Sequence, residues 1–434
     1  MKKPLLNLLQ MFNMSFGFFG IQHGFEIQFA RMTPLFETLG AGKEQVPFLW
    51  LAAPFTGLII QPIVGYASDR TWWQALRCRR RPYFFIGAVL STLSLFAMPH
   101  AGAVWMAAGL LWVLDASLNI CMEPMRAFVG DKLSSGQRPQ GYAWQAFMIG
   151  AGTIIGNFIA SATDLQTGFY LCGTILFFAM SWTVFSSPEY PPDDVGKQAE
   201  TFKGPMKEVA AYFVEVFGSI KEMPEVMKVL GVVQFLTWMG LFCMWIFYSS
   251  AVGANVFGGI PTAPTQSTLY QNYEQGVRFA ARTLAFRGMI TPLYALLIPL
   301  LCLRIGRAYT HSLSLMIGAI GLLLVPFSNN RGEAWMLYLF AIGSGIAWAS
   351  IVSMPYTILV EHLPQEKYGL FMGLFNMFIV LPEICVSLGM GTLMLNFVGG
   401  NRAWVVGIGG VLLFAAGIVT TWLRKYDHAP LMKT

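Results

Sequence analysis

Apolar runs of about 20 residues succeed one another along this chain, each long enough for an α-helix to cross the hydrocarbon core of a bilayer. Twelve are centred near residues 17, 56, 91, 115, 151, 178, 240, 293, 318, 347, 382 and 412. Backbone groups in lipid must be satisfied internally, and the runs are far too long for barrel strands, so the pattern predicts twelve helices. One segment interrupts it. Residues 188–228 begin Pro188-Glu189-Tyr190-Pro191-Pro192-Asp193-Asp194 and turn amphipathic towards Lys228. A cytoplasmic linker there would divide the chain into an N-terminal six-helix half, residues 1–187, and a C-terminal six-helix half, residues 229–434.

Composition removes the soluble alternative. Only 12% of residues are charged and 55% are hydrophobic, whereas a soluble domain carries about 25% charged residues. Lys and Arg then orient the spans. With both termini and every second loop on the cytoplasmic side, twenty of the 28 basic residues lie there; six, Arg287 among them, lie opposite, and Arg31 and Arg126 fall inside spans. The net charge of +6 therefore reports topology and gives no reason to invoke nucleic acid. Lys2 and Lys3 precede an apolar run that continues beyond a signal-peptide core, which reads as a retained first helix. The six cysteines show no metal-ligand spacing and read as reduced thiols, with no cofactor implied. The expectation is a multi-pass protein of the bacterial inner membrane, all-α, monomeric, with two six-helix halves around a midplane site: the major facilitator architecture.

A faint internal echo fits two halves. Gly65-Tyr66-Ala67-Ser68-Asp69-Arg70 and Arg77-Cys78-Arg79-Arg80-Arg81-Pro82-Tyr83 follow the second span, and Leu303-Arg304-Ile305-Gly306-Arg307 follows the eighth. The first run fits G-x-x-x-D-R…R-R, lengthened in the middle. Asp69, Arg70, Arg79, Arg80 and Arg81 are candidate gate residues that pair in one conformation and release in another; plain cytoplasmic anchoring is the alternative.

Charge inside a span costs on the order of 2.5–3.5 kcal/mol, so each case asks for a reason. The fourth span holds Asp115, Asn119, Met122 and Arg126 at i, i+4, i+7 and i+11, a stripe about 40° wide, with Glu123 beside it and Pro124 loosening the helix. Such a stripe lines a cavity or a helix seam. In a cavity, loss of bulk water penalises a carboxylate, which brings proton exchange by Asp115 near neutral pH and ties it to the gripping of substrate hydroxyls. Arg126 would then be a counter-charge or a forked ligand; a structural ion pair locking two helices is the alternative. The first span adds Gln22, His23, Glu26, Gln28 and Arg31, where side-chain amides suit hydroxylated ligands. Trp112, Trp144, Trp238, Trp245 and Trp348 could each stack on the rings of a hydroxylated ligand; packing or interface roles fit most of them better, and Trp144 beside Gln145 is the ring-stacking candidate. In the eleventh span Asn376 and Glu383 stand seven apart on one face, Glu383 rivals Asp115 as the titrating group, and Pro382 is expected to break the helix.

No phosphate-binding loop, H-E-x-x-H or G-x-S-x-G setting is present, so the chain does not read as an enzyme. Gly20-Ile21-Gln22 to Gln28, Thr33-Pro34, Leu39-Gly40, Gln61-Pro62-Ile63-Val64-Gly65-Tyr66-Ala67-Ser68-Asp69-Arg70, Arg79-Arg80-Arg81-Pro82, Leu114-Asp115…Asn119…Pro124-Met125-Arg126-Ala127 and Asn376…Ile379-Val380-Leu381-Pro382 resemble the plant sucrose–proton symporters. The resemblance implies a facilitator fold and symport of a proton with a disaccharide such as sucrose or maltose. It also implies that Asp115 is the proton-linked sugar ligand with Arg126 as its partner. Glu383 stands where that family usually has Gln, and Glu26 and Arg31 where it has apolar or small residues. The uncharged run Tyr248–Asn255 departs as well, which is more similar to a bacterial maltose- or sucrose-permease branch. A Na⁺-coupled glycoside symporter and an uncoupled sugar facilitator or exporter remain open alternatives.

Overall fold

A computed structural model describes residues 5–73, 77–134, 136–189, 214, 218–363 and 368–426. Most of the expected 188–228 linker lies outside them, as does the side chain of Arg70. The described residues are helical, with one isolated bridge between Trp73 and Cys78 and no strand. The long helices are α1 (Leu8–Thr38), α2 (Ala52–Arg70), α3 (Arg81–Ala97), α4 (Val104–Lys132), α5 (Arg138–Ala162) and α6 (Leu165–Ser186), then α7 (Glu225–Ala251), α8 (Thr268–Ile305), α9 (Arg307–Leu324), α10 (Met336–Ile351), α11 (Tyr368–Cys385) and α12 (Arg402–Thr420). Among the described residues, eleven helical stretches, α2 to α12 with their short extensions, are long and apolar enough to cross a membrane. The remaining one, α1, has the length at 31 residues but carries Glu26, Arg31 and Glu37.

The chain forms two compact units, residues 1–28 with 52–212 and residues 29–51 with 213–434. In the first, small residues bring helices into backbone contact, the usual means of packing where lipid removes a hydrophobic drive. A Cβ on Gly87 of α3 would sit 2.7 Å from the Ser117 carbonyl oxygen of α4, and the adjacent Ser91 and Ser117 hydroxyls share a 2.8 Å hydrogen bond. In the second unit α7 crosses α12 at Gly240 and Gly409, where either Cβ would stand 2.6 Å from the opposing carbonyl oxygen. Residues 29–51, including the short helix Val46–Leu49, belong to this unit: Thr33 donates to the Ile246 carbonyl at 2.7 Å and Lys43 to that of Gly400 at 2.9 Å.

Pro382 does not break its helix. The α11 helix runs through it to Cys385, and the kink comes at Val386–Met390, where Gly389 adopts φ +148°. The left-handed region admits glycine at no steric cost, so the interruption falls there. None of the six cysteines is in a disulfide.

Candidate functional site

Asp115 is fully buried in the first unit, in the middle of α4. Its Oδ1 accepts a 2.8 Å hydrogen bond from Gln28 Nε2 of α1, while Asp115 Oδ2 and Gln28 Oε1 have no hydrogen-bond partner. One turn on, Asn119 Nδ2 donates to the Asp115 carbonyl at 2.8 Å and to Thr56 Oγ1 at 3.3 Å, and its Oδ1 accepts from Gln61 Nε2 at 2.6 Å. A polar chain thus runs Gln28, Asp115, Asn119, Gln61 through three helices, and none of these side chains is cationic. Gln61 and Thr56 were not among the candidates: both sit in an apolar span, and only the i, i+4, i+7 register on the facing helix hints at their partner.

Arg126 stands apart from this chain. Its guanidinium is exposed and reaches Met122 Sδ at 3.5 Å, and it makes no bond to Asp115. Glu123 packs across from Gly65 of α2. On α1, Gln22 Nε2 donates to Glu26 Oε1 at 2.7 Å, and Glu26 Oε2 accepts from Asn157 Nδ2 of α5 at 2.5 Å. Asn157 is a second residue absent from the candidates. His23 is buried with Nδ1 2.7 Å from the Phe19 carbonyl and its ring against Phe19. Trp144 meets Phe12 and Phe147 edge-on, at 6.0 and 5.8 Å between centroids, and Gln145 Oε1 is buried without a partner.

The loop candidates gather within the first unit. Arg80 donates to Asp69 Oδ1 and to Asp131 Oδ2, both at 2.5 Å, and to Ser68 Oγ at 2.9 Å; Arg79 pairs with the same Asp131 oxygen. Glu189 accepts from the backbone N–H groups of Arg79, Arg80 and Arg81 at 2.8–3.0 Å, an anion set at the start of α3 where the helix leaves its donors unmatched. Burial disfavours the Asp131 carboxylate, but the hydrogen bonds and charges of Arg80 and Arg79 outweigh it and hold its pKa below the usual range. Burial likewise opposes the Arg80 charge, and Asp131 and Asp69 outweigh that. For neighbouring Lys132 the balance goes the other way: burial first, then the Arg81 charge, outweigh the help of Glu189 and lower it to about 8. Asp131 and Glu189 escaped the sequence reading because each lies on an element distant in the chain. The second unit repeats the motif once, with Arg307 bonded to Glu361 at 2.6 Å.

In the second unit Glu37 is buried and fully partnered. Arg402 Nε donates to it at 2.7 Å, Ser250 Oγ at 2.8 Å and Tyr273 Oη at 2.8 Å. Arg31 pairs with Glu274 at 2.8 Å, which also accepts from Arg278 at 3.0 Å. Asn376 is exposed on α11, and Glu383, seven residues on, is half-buried. Trp238, Trp245 and Trp348, set aside as packing residues from the sequence, come together, with the Arg287 guanidinium 5.4 Å from the Trp348 ring. Arg287 lies within the 38-residue α8, directly before its uncharged run 288–303.

A model of the Major Facilitator Superfamily matches residues 14–384. The sucrose transport protein SUC4 of Arabidopsis thaliana is 26% identical over 455 residues, covering 92% of this chain and 87% of that protein. The sucrose transport protein SUT5 of Oryza sativa subsp. indica is also 26% identical, with 94% and 86% covered. Among solved structures, the nucleoside transporter NupG superposes with a TM-score of 0.67 at 13% identity, covering 97% of this chain and all of that one. The peptide transporter POT in complex with sulfate gives 0.69 at 11% identity, covering 98% and 96%. At those identities the structures speak for the fold alone.

Proposed function

The chain belongs to the Major Facilitator Superfamily, and from that premise we propose that it carries out proton-coupled symport of a disaccharide, of the sucrose or maltose type, into the cytoplasm. Family and homologues are transporters and not enzymes. The observation that carries the reading is Asp115: a carboxylate at mid-span, fully buried, bonded only by a neutral amide and with one oxygen unpartnered. Among the described residues no cation pairs with this acid, so binding a proton is the route to neutrality. Its open oxygen is also a ready acceptor for a sugar hydroxyl.

In this mechanism Asp115 is protonated from outside and the sugar binds beside it. Gln28, Asn119, Gln22 and Glu26 supply hydrogen bonds, and Trp144 with Gln145, Arg126 and Asn376 complete the candidate ligands. The protein then alternates its opening, and sugar and proton leave inside. Asp69, Arg70, Arg79, Arg80 and Arg81 form the gate, and Glu383 is the second candidate for a proton. The protein acts as a monomer in a bacterial inner membrane with both termini cytoplasmic. A proton falling through about 100 mV releases about 2.3 kcal/mol, and one pH unit adds about 1.4 kcal/mol. Together they sustain roughly several-hundredfold accumulation at one proton per sugar.

The test is reconstitution in proteoliposomes with labelled sucrose, maltose, trehalose and glucose, with and without an imposed pH gradient and in sodium-free buffer. Concentrative uptake of a disaccharide driven by the gradient is expected. Asp115→Asn should retain counterflow and lose accumulation. Accumulation that survives in Asp115→Asn removes the proton role, and a strict sodium requirement turns the reading to the sodium-coupled alternative.

A further inference from the structure

We infer that Trp238, Trp245, Trp348 and Arg287 form a subsite in the second unit that stacks one ring of the transported sugar. The inference rests on the sugar-transport reading and extends it to side chains outside the Asp115 chain. The three indoles lie 5.5–5.9 Å apart between centroids, crossed at 59°, 71° and 79°. Crossed rings build a corner and not a closed stack, and all three are half-buried, so part of each stays reachable. Behind the corner, Phe29 stacks on Trp245 at 5.1 Å and on Trp50 at 5.5 Å, and fully buried Trp50 donates its Nε1 to Thr33 at 2.8 Å. The wall is therefore braced. Arg287, over the Trp348 ring, holds that ring by cation–π attraction.

Depth separates this cluster from an interfacial belt. Trp238 and Trp245 straddle the middle of the span Glu225–Val256 and Trp348 falls at the middle of Met336–Leu359, while Arg287 stands where the apolar run 288–303 of α8 begins. Tryptophans that anchor a protein at the headgroups sit at span ends, whereas facilitator substrates bind near the midplane. Nor is this a lipid-facing stripe. From Met239 to Gly253 every residue is buried except Trp245, an isolated window in an otherwise packed helix.

Polar groups without partners point to a hydroxylated guest. Gln234 stands one turn before Trp238 on the same stripe of α7, is fully buried, and neither its Nε2 nor its Oε1 has a hydrogen-bond partner. Trp238 Nε1 is buried and unpartnered as well. Buried polar groups in folded proteins are normally satisfied. An amide that can both donate and accept, beside an indole N–H and an aromatic wall, matches a pyranose: apolar C–H face against the rings, equatorial hydroxyls towards the polar atoms.

The experiment measures counterflow and intrinsic tryptophan fluorescence on the full-length protein. Wild type should show a fluorescence change on addition of its transported disaccharide. Trp348→Ala and Trp245→Ala should raise KM about tenfold or more with kcat within a few-fold, and the fluorescence change should shrink. Trp348→Phe should recover most of the affinity, and Arg287→Lys should raise KM several-fold. If Trp348→Ala does not reach the membrane, Trp348→Phe against Arg287→Lys and Gln234→Leu carries the same comparison through KM. A wild type that transports, with variants that keep its KM and its fluorescence response, overturns the subsite and leaves the transport reading standing. A wild type that neither binds nor transports any sugar of the panel overturns both.

Discussion

Two buried acids, one in each unit, have been given opposite surroundings. Glu37 is held by a guanidinium, a hydroxyl and a phenol, so its negative charge is matched atom by atom. Asp115 receives a single amide hydrogen bond and leaves an oxygen open. Burying a charge is tolerable when a counter-ion and donors surround it, and costly when they do not. The first arrangement suits a fixed structural charge and the second a group that changes its proton count. The residue type alone does not separate them; the company each keeps does.

The contrast can be broken in order of expected effect. Asp115→Asn should collapse a roughly several-hundredfold gradient-driven accumulation to equilibration, read by labelled-sugar uptake, while counterflow persists. Glu37→Gln should leave half-buried Arg402, Ser250 and Tyr273 without their carboxylate and cost about 3 kcal/mol of stability in a thermal melt, with counterflow per folded molecule little changed. The reverse pattern, stability lost at Asp115 and coupling lost at Glu37, would exchange the two roles. Gln28→Leu removes the one donor to Asp115 and should cost about 1–3 kcal/mol, visible as a lower melting temperature and a displaced pH profile of uptake.

The smallest effect concerns the loop cluster. Asp131 has a lowered pKa under Arg80 and Arg79. Its contribution is therefore complete above the usual carboxylate range and fades as pH falls through the lower native value. The carboxylate is partly exposed, so screening limits the expected loss in Asp131→Asn to about 1 kcal/mol at neutral pH. That loss should fade towards acid pH and shrink in high salt, as followed by melts across pH and ionic strength.

The spans were legible because 20 apolar residues in a row have few other uses. The twelve sequence-derived centres fall within the twelve long helical stretches. Periodicity also located the face of α4 that carries Asp115 and Asn119. It could not name what lies opposite that face, which is why Gln61 and Thr56 were missed; Asn157 was missed because its partner Glu26 is 131 residues away. Helix length misled at α8: its apolar run is centred near residue 293, but the helix begins at Thr268, so a charged stretch with Glu274, Arg278, Arg282 and Arg287 continues into the same helix. Glu37 lay beyond reach for another reason. Its partners Ser250, Tyr273 and Arg402 are 213, 236 and 365 residues away, and no local pattern encodes such a pairing.

The bond set of Glu189 bears on how the protein is made. The three backbone donors at the start of α3 find their acceptor 108 to 110 residues later in the chain, just past the end of α6. During synthesis the third helix therefore enters the bilayer with its leading turn uncapped, and it stays so until the sixth has cleared the ribosome. The loop's closing bonds wait for residue 189, so emergence of that residue from the ribosome is the moment at which the loop can lock.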